Sequence, residues 1–182
     1  FTKRTVLSHM ASVFDPRGQL TPFTIRAKLM FQELCMAGIG WDDELPAKYL
    51  QAWKTWFAEF EDISTIKIDR CFKAVDSTDD VTVHVFTDAS QEAYAAAAYV
   101  RVESNGGPAK VTLAMSKARP APVKRRSIPM LELQAAVLGS RLGQFVSDAL
   151  NLPPESVTYW TDSMNVLYWV RSVSRKFKID VG

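Results

Sequence analysis

Three acidic residues stand at the ends or the start of the most regular segments in the second half of this sequence. Asp88 ends the alternating stretch DVTVHVFTD, and Asp162 ends the β-type stretch SVTYWTD. Glu132 lies between two leucines near the start of the apolar segment IPMLELQAAVLGSRLGQF. If that segment is a helical crossover between two parallel strands, both aspartates reach one sheet edge, where ligands usually bind in α/β proteins.

Such a group of carboxylates is typical of a site for divalent cations. Converging carboxylates repel one another, and a bound cation relieves that repulsion. Oxygen ligands favour Mg²⁺ or Mn²⁺ over Zn²⁺. Two such ions about 3.5–4 Å apart can activate water and stabilise the leaving oxygen of an in-line phosphodiester displacement. We therefore predict that Asp88, Glu132 and Asp162 are metal ligands and catalytic residues, with no nucleophilic side chain required.

Each acid also has a simpler reading. Asp88 fits an N-cap or a turn, and Asp162 fits the cap of a helix that begins near Met164. Glu132 fits a charge that favours the helix dipole. Taken singly, these roles are at least as common as metal binding. The joint placement of three acids at two strand ends and on one helix face favours a shared site.

Residues 79–182 predict an α/β domain with a mixed sheet in the order β-β-β-α-β-α. The segment EAYAAAAYVRV is ambiguous because four consecutive alanines favour a helix. The SNGGP turn and the β-type VTLAMS after it favour a hairpin, so we predict a strand. Pro129 then opens a helix that ends near Leu150, and a parallel fourth strand and a last helix follow. Small residues in line with Glu132, namely Ala136, Gly139 or Ser140, and Gly143, predict that the crossover helix packs closely on the sheet.

Residues 1–62 predict a small α-helical subdomain, and residues 63–78 a linker. The first helix expected in this subdomain runs from Lys3 to Val13. The second runs from a Thr21 N-cap with Pro22 to a stop at Gly38, and the third begins near Pro46. The linker contains Ile66 and Ile68, which alternate as in a short strand. Trp41, Trp53 and Trp56 suggest either nucleic-acid stacking or a core between helices, and their spacing favours the core.

Charge is distributed unevenly although the formal net charge is only +2. No acid occurs between Glu103 and Glu132, or from Ser163 to Ile179. Separated basic surfaces beside a local group of acids suit a polyanion held next to a cation site, and solvated surface charge is the alternative. The basic residues that we predict to contact a nucleic-acid backbone are Lys117, Arg119, Lys124, Arg125, Arg126, Arg171 and Arg175.

Composition limits the cellular setting. No apolar run approaches the ~20 residues needed to span a bilayer, and nothing resembles a signal peptide. Cys35 and Cys71 have no companion ligand at metal-site spacing, so a reducing compartment is expected. We predict an intracellular, cytoplasmic protein with no membrane partner, cut from a longer polypeptide.

The motifs FTDAS, IPMLELQAA and YWTDS, in this order, resemble the ribonuclease H segment of BEL/Pao-type LTR retrotransposon polyproteins. Upstream, TKRTVLSHMASVFDPRGQLTPFTIRAKLMFQEL and GWDDELP resemble the region that links the reverse transcriptase of that family to its ribonuclease H. The resemblance covers essentially the whole chain. It implies a ribonuclease H-like fold that uses two Mg²⁺ ions, with Mn²⁺ as a substitute, to cleave the RNA strand of RNA–DNA hybrids during reverse transcription.

The resemblance also implies residue roles and partners. Asp88 is the ligand on the first strand, Glu132 the ligand on the helix and Asp162 the ligand on the fourth strand. The family has a fourth acidic ligand, for which no matching motif is found in this sequence. Asp180 is an acid near the end of the sequence, but it does not lie in a matching motif. The implied partners are an RNA–DNA hybrid and the rest of the reverse transcriptase polyprotein, within the cytoplasm or a retroelement particle. Residues 1–62 correspond to a thumb- or connection-like region of the polymerase.

Two further functions stay open. The domain can be a non-catalytic ribonuclease H-like module that positions nucleic acid or packs against the polymerase, because fold alone does not decide activity. It can also be a fragment adopted by a host for a structural role. The peptidase label sometimes given to this family finds no support, because an aspartic protease needs an Asp-Thr/Ser-Gly turn and the chain has none.

Overall fold

The computed structural model describes residues 1–63, 65–68, 80–103 and 107–172. The chain divides into two compact units, Phe1–Cys71 and Phe72–Gly182. Each unit has its own hydrophobic core, and the predicted site residues Asp88, Glu132 and Asp162 all belong to the second.

The first unit contains three helices, as predicted: α1 (Lys3–Ser12), α2 (Thr21–Met36) and α3 (Ala47–Ile63). Thr2 caps α1 through a reciprocal pair of hydrogen bonds with Thr5. Thr21 is the first helical residue of α2 rather than its N-cap, because Leu20 takes the cap position. Residues 65–68 form no strand, and residues 64 and 69–78 of the predicted linker lie outside the described residues.

Two of the three tryptophans of the first unit form its core. Trp53 and Trp56 are each 1% exposed, and Trp56 stacks on Phe23 with ring centroids 4.5 Å apart. Trp41 is 47% exposed, so its predicted place in the core is wrong. It lies outside the helices, where the Lys3 ammonium group sits 4.6 Å from the centre of its ring. The face of an aromatic ring attracts such a cation, so Trp41 has a cation–π contact with Lys3 in place of a core position.

The second unit is an α/β domain with the predicted order of elements. Its strands form one sheet in the order β3-β2-β1-β4. β1 pairs antiparallel with β2 and parallel with β4, while β2 pairs antiparallel with β3. The elements are β1 (Asp80–Ala89), β2 (Ala93–Glu103), β3 (Lys110–Pro120), α4 (Ile128–Ala149), β4 (Val157–Trp160) and α5 (Met164–Arg171).

The alanine run of the second unit is a strand, and its period explains why. Ala96, Ala98, Val100 and Val102 are buried, whereas the residues between them are half-buried. A period of two is that of a strand with one face packed on a core. Burial against α4 therefore overrides the local helix preference of alanine.

Two glycines of α4 let the helix lie close to the sheet. A Cβ added at Gly139 would clash with Thr87 Cγ2 and would come within 3.3 Å of Val85 Cγ1. A Cβ at Gly143 would come within 2.7 Å of Tyr159 Oη. The predicted close approach along this line of small residues is confirmed. It fixes the height of α4, and therefore of Glu132, above β1.

Strand ends differ from the sequence prediction at two places. β3 continues to Pro120, beyond the end of the β-type segment VTLAMS on which the predicted strand is based. β4 ends at Trp160, so that Asp162 follows the strand by two residues and lies in the turn before α5. A 3-10 turn at Pro154–Ser156 leads into β4.

Candidate metal and nucleic-acid site

Asp88 stands one residue before the end of β1, opposite Ala95 of β2. Its side chain is exposed, and its Oδ1 accepts a hydrogen bond of 2.7 Å from the backbone N–H of Ala89. Thr87, the residue before it, faces α4 at Gly139. Because neighbouring residues of a strand point to opposite faces, Asp88 lies on the face of β1 away from α4.

Asp162 lies in the turn that follows β4, at the end of that strand which is beside the Asp88 end of β1. The ladder pairs Val83 with Val157 and ends with Phe86 opposite Trp160. Two residues further along each chain are Asp88 and Asp162. Thr87 Oγ1 donates a hydrogen bond of 3.2 Å to the carbonyl of Trp160 and joins the two strands just before both aspartates. The prediction that both aspartates reach one sheet edge follows from this register.

Glu132 is the fifth residue of α4 and is half-buried. Its Oε2 accepts a hydrogen bond of 2.5 Å from the hydroxyl of Ser163. Ser163 directly follows Asp162 and is only 6% exposed. Glu132 and the turn that carries Asp162 are therefore in contact through one side chain.

These contacts decide two of the simpler readings. Ser163, not Asp162, caps α5, because its hydroxyl accepts from the backbone N–H of Val166 at 3.3 Å. Glu132 lies beyond the first turn of α4, which contains no acid. For Asp88 the local reading holds in part, because its carboxylate caps the next backbone N–H. Sequence reasoning missed Ser163, although a serine just before an apolar helix is a signal for an N-cap.

The donor set fits a hard divalent cation by chemistry, because all three side chains are carboxylates. The side chains do not meet as one group. Among the described residues, no three His, Cys, Asp or Glu side chains are arranged to hold a metal ion. The strand period accounts for this arrangement, because it turns Asp88 away from α4 while Glu132 approaches from α4. The ligand set remains a prediction.

Two of the predicted cations lie at the same end of the sheet as the aspartates. Asp88 pairs with Ala95, and Ala95 pairs with Ala118 of β3. Neighbouring strands are about 4.8 Å apart, so the backbone of Ala118 lies about 10 Å from that of Asp88. Lys117 and Arg119 flank Ala118 and are exposed. Lys117 pairs with Ala96, and Arg119 pairs with Tyr94. Ala96 and Tyr94 lie on the face of β2 that packs towards α4, the helix that carries Glu132.

The other described cations of the prediction lie in two places. Lys124, Arg125 and Arg126 are exposed in the loop between β3 and α4, two to four residues before α4 begins. Arg171 is exposed at the last residue of α5, and Arg175 lies outside the described residues. Asp180 also lies outside them.

A family model described as the Pao retrotransposon-like RNaseH-like domain matches residues 2–163. The match covers most of the 182 residues and all three predicted ligands. The chain belongs to this family. The predicted resemblance to BEL/Pao elements is therefore confirmed, and so is the ribonuclease H-like fold class, because the mixed four-stranded sheet agrees with it.

The Pao match includes the helices of the first unit and the α/β unit as far as Ser163. The assignment of residues 1–62 to a polymerase thumb or connection stays a prediction. None of the curated proteins that were compared matches this Pao-family chain. In the part of the chain that the structure describes, no helix has the length and apolar character to cross a membrane.

Proposed function

We propose that this Pao-family domain is a metal-dependent ribonuclease H that cleaves the RNA strand of RNA–DNA hybrids during reverse transcription. The observation that carries the proposal is the hydrogen bond from Ser163 to Glu132. It holds the helix carboxylate against the turn of Asp162, at the sheet edge where Asp88 also ends its strand. The family match adds the reaction class by analogy.

In this proposal Asp88, Glu132 and Asp162 hold two Mg²⁺ ions, for which Mn²⁺ can substitute. Such ions supply an activated water and charge stabilisation for the leaving oxygen of a phosphodiester. The part of the protein itself is to hold the carboxylates in place. Thr87 joins the two strands beside the aspartates, and Ser163 fixes one oxygen of Glu132.

The proposed substrate lies along the cations that border this edge. Lys117 and Arg119 at the end of β3, and Lys124, Arg125 and Arg126 before α4, are exposed and available to phosphates. Phosphate contacts give an affinity that falls with salt and reads no sequence. Selection of the RNA strand then depends on minor-groove shape and 2′-hydroxyls. Arg171 at the end of α5 is proposed as a further backbone contact, and Arg175 is proposed as another from the sequence alone.

The experiment offers one RNA sequence in three forms, with the RNA strand labelled: in a hybrid with DNA, in an RNA duplex and as a single strand. With Mg²⁺, the proposal expects cleavage of the hybrid and little cleavage of the other two. Activity should disappear with a chelator and return with Mn²⁺. Equal cleavage of all three forms would contradict the proposed substrate class.

A second candidate function is a non-catalytic module that positions nucleic acid beside the polymerase. The observation that favours it is the absence, among the described residues, of three side chains arranged to hold a metal ion. Titration with Mn²⁺, read by the loss of the free-ion signal, separates the two candidates. The nuclease predicts binding that Asp88→Asn and Glu132→Gln each weaken. The module predicts hybrid binding by the basic residues and no carboxylate-dependent uptake of Mn²⁺.

A further inference from the structure

Ser163 is the one residue that links α4 directly to the turn carrying Asp162 by a side-chain hydrogen bond among the described contacts. Its hydroxyl donates to Glu132 Oε2 over 2.5 Å and accepts from the N–H of Val166 over 3.3 Å. The side chain is almost entirely buried, at 6% exposure. Both capacities of the hydroxyl are therefore used within the protein.

We propose that Ser163 is a positioning residue that orients the carboxylate of Glu132 towards a divalent cation. This inference rests on the proposed function. The N–H of Val166 occupies a lone pair of Ser163 Oγ, so the hydroxyl proton is directed at Glu132. The bond engages Oε2 and leaves Oε1 as the oxygen that a cation can take. Partners that fix a ligand in this way tune metal affinity about 10- to 100-fold.

The same hydrogen bond also sets the spacing between two predicted ligands. Asp162 precedes Ser163 directly, and Ser163 is the N-cap of α5. While this hydrogen bond holds, a shift of the Glu132 carboxylate must therefore be accompanied by a shift of the turn that carries Asp162. Capping of α5 alone would not require the bond to Glu132, because a cap needs the oxygen lone pair and not the proton.

Three substitutions at this position separate positioning from capping. Ser163→Thr keeps both the donor and the cap. Ser163→Gly removes the donor but keeps much of the cap, because glycine is tolerated at N-caps far better than alanine. Ser163→Ala removes both. Mn²⁺ affinity and the thermal midpoint of the metal-free chain are measured for each variant beside Glu132→Gln.

The proposal expects Ser163→Gly and Ser163→Ala to weaken Mn²⁺ binding about equally, by about 10-fold or more, although alanine lowers the midpoint further. Ser163→Thr should bind Mn²⁺ within about 3-fold of the parent chain, because its hydroxyl replaces that of serine. If affinity follows the midpoint instead, so that glycine is nearly harmless, Ser163 is only a cap and the proposal is overturned.

The failures of the two proposals remain distinguishable. If the parent chain binds no Mn²⁺, or if Glu132→Gln binds it unchanged, the proposed metal function fails and the positioning role fails with it. If Glu132→Gln abolishes binding while Ser163→Gly leaves it intact, only the positioning role fails. A metal-free readout adds an independent check: in a double-mutant cycle on unfolding, Ser163→Ala and Glu132→Gln should be non-additive. Additive effects would show that the hydrogen bond does not couple the two residues and would overturn the inference.

Discussion

The hydroxyl of Thr87 donates to the carbonyl of Trp160 across the only parallel pair in the described sheet. Each of these residues lies within two positions of a predicted metal ligand, Asp88 or Asp162. Thr87 also carries the methyl group against which Gly139 of α4 packs. The hydroxyl of Thr87 therefore links β1 to β4, and its methyl group sets how closely α4 packs on β1, both at the edge of the proposed site.

Replacing Thr87 by valine tests the polar half of that role. Thr87→Val keeps the shape but removes the donor to Trp160, so we expect a loss of about 1 kcal/mol in the free energy of unfolding. Urea denaturation of the chain measures it. Thr158→Val, at an exposed position of β4, is the matched control and should change stability by less than about 0.5 kcal/mol. Equal behaviour of the two variants would contradict a role for the hydroxyl.

Substitution of the two α4 glycines tests the close packing of the helix. Gly139→Ala gains helix propensity of about 1 kcal/mol, but its Cβ meets Thr87 and Val85 inside the buried interface, where overpacking costs about 1–3 kcal/mol. We expect a net decrease in stability, measured as a lower thermal midpoint. Gly143→Ala meets the end of the Tyr159 side chain, which is 48% exposed and can move aside. That variant should be neutral or stabilising, and a Gly139→Ala chain as stable as Gly143→Ala would contradict the packing argument.

The tryptophans of the helical unit should differ sharply in their contribution. Trp56 is buried, stacks on Phe23 and donates from Nε1 to the Phe23 carbonyl over 3.2 Å. Trp56→Ala should cost about 3–5 kcal/mol, because it leaves a cavity and removes the hydrogen bond to the Phe23 carbonyl. Trp41→Ala should cost about 1 kcal/mol or less, because half of the ring is already in water. Denaturant unfolding of each variant compares the two, and similar losses would be inconsistent with the exposed position of Trp41.

Acid should remove a small stabilisation of the same unit. Arg4 donates two hydrogen bonds to Asp42, of 2.7 and 2.9 Å, and holds the pKa of that carboxyl below its ordinary value of 3.8. A carboxyl with a lowered folded-state pKa stabilises the protein above its unfolded pKa, and the effect is lost as pH falls through the folded value. Asp42→Asn should therefore lower the thermal midpoint slightly at pH 7, and this difference should decrease as the pH falls below 3.8. The pair is exposed, so the difference should shrink with salt.

A control for this pH dependence lies two residues along the chain. Glu44→Gln removes a carboxylate outside the Arg4–Asp42 pair and should not reproduce the pH-dependent difference. A difference between Asp42→Asn and the parent chain that does not decrease as the pH falls below 3.8 would show that Asp42 acts through something other than its charge.

The sequence was sufficient for the order of the elements and for the level of the two aspartates. Alternation in DVTVHVFTD and SVTYWTD predicts strands, and a helix between them predicts a parallel pair with both acids at one edge. Three features depend on tertiary contacts instead. The alanine run becomes a strand through burial beneath α4, Trp41 stays outside the core beside Lys3, and β4 ends two residues before Asp162.

The arrangement of the carboxylates was predictable only in part. The position of the two aspartates at one edge of the sheet follows from where the strands end. The face of β1 on which Asp88 lies depends instead on which residue of β1 packs on α4. Thr87 takes that place because Gly139 admits its methyl group. The link between Glu132 and Ser163 joins residues 31 positions apart and has no local sequence signal beyond the N-cap pattern.

The most direct test of the central claim is the rate of RNA cleavage in an RNA–DNA hybrid with Mg²⁺, compared between the parent chain and four variants. Asp88→Asn, Glu132→Gln and Asp162→Asn should each lower the rate by about 100-fold or more, because loss of a ligand should cost at least as much as loss of a partner that only orients one. Glu155→Gln, which removes an exposed acid before β4, should leave the rate unchanged. Cleavage at the parent rate in all four variants would contradict the claim that these three carboxylates form the catalytic metal site.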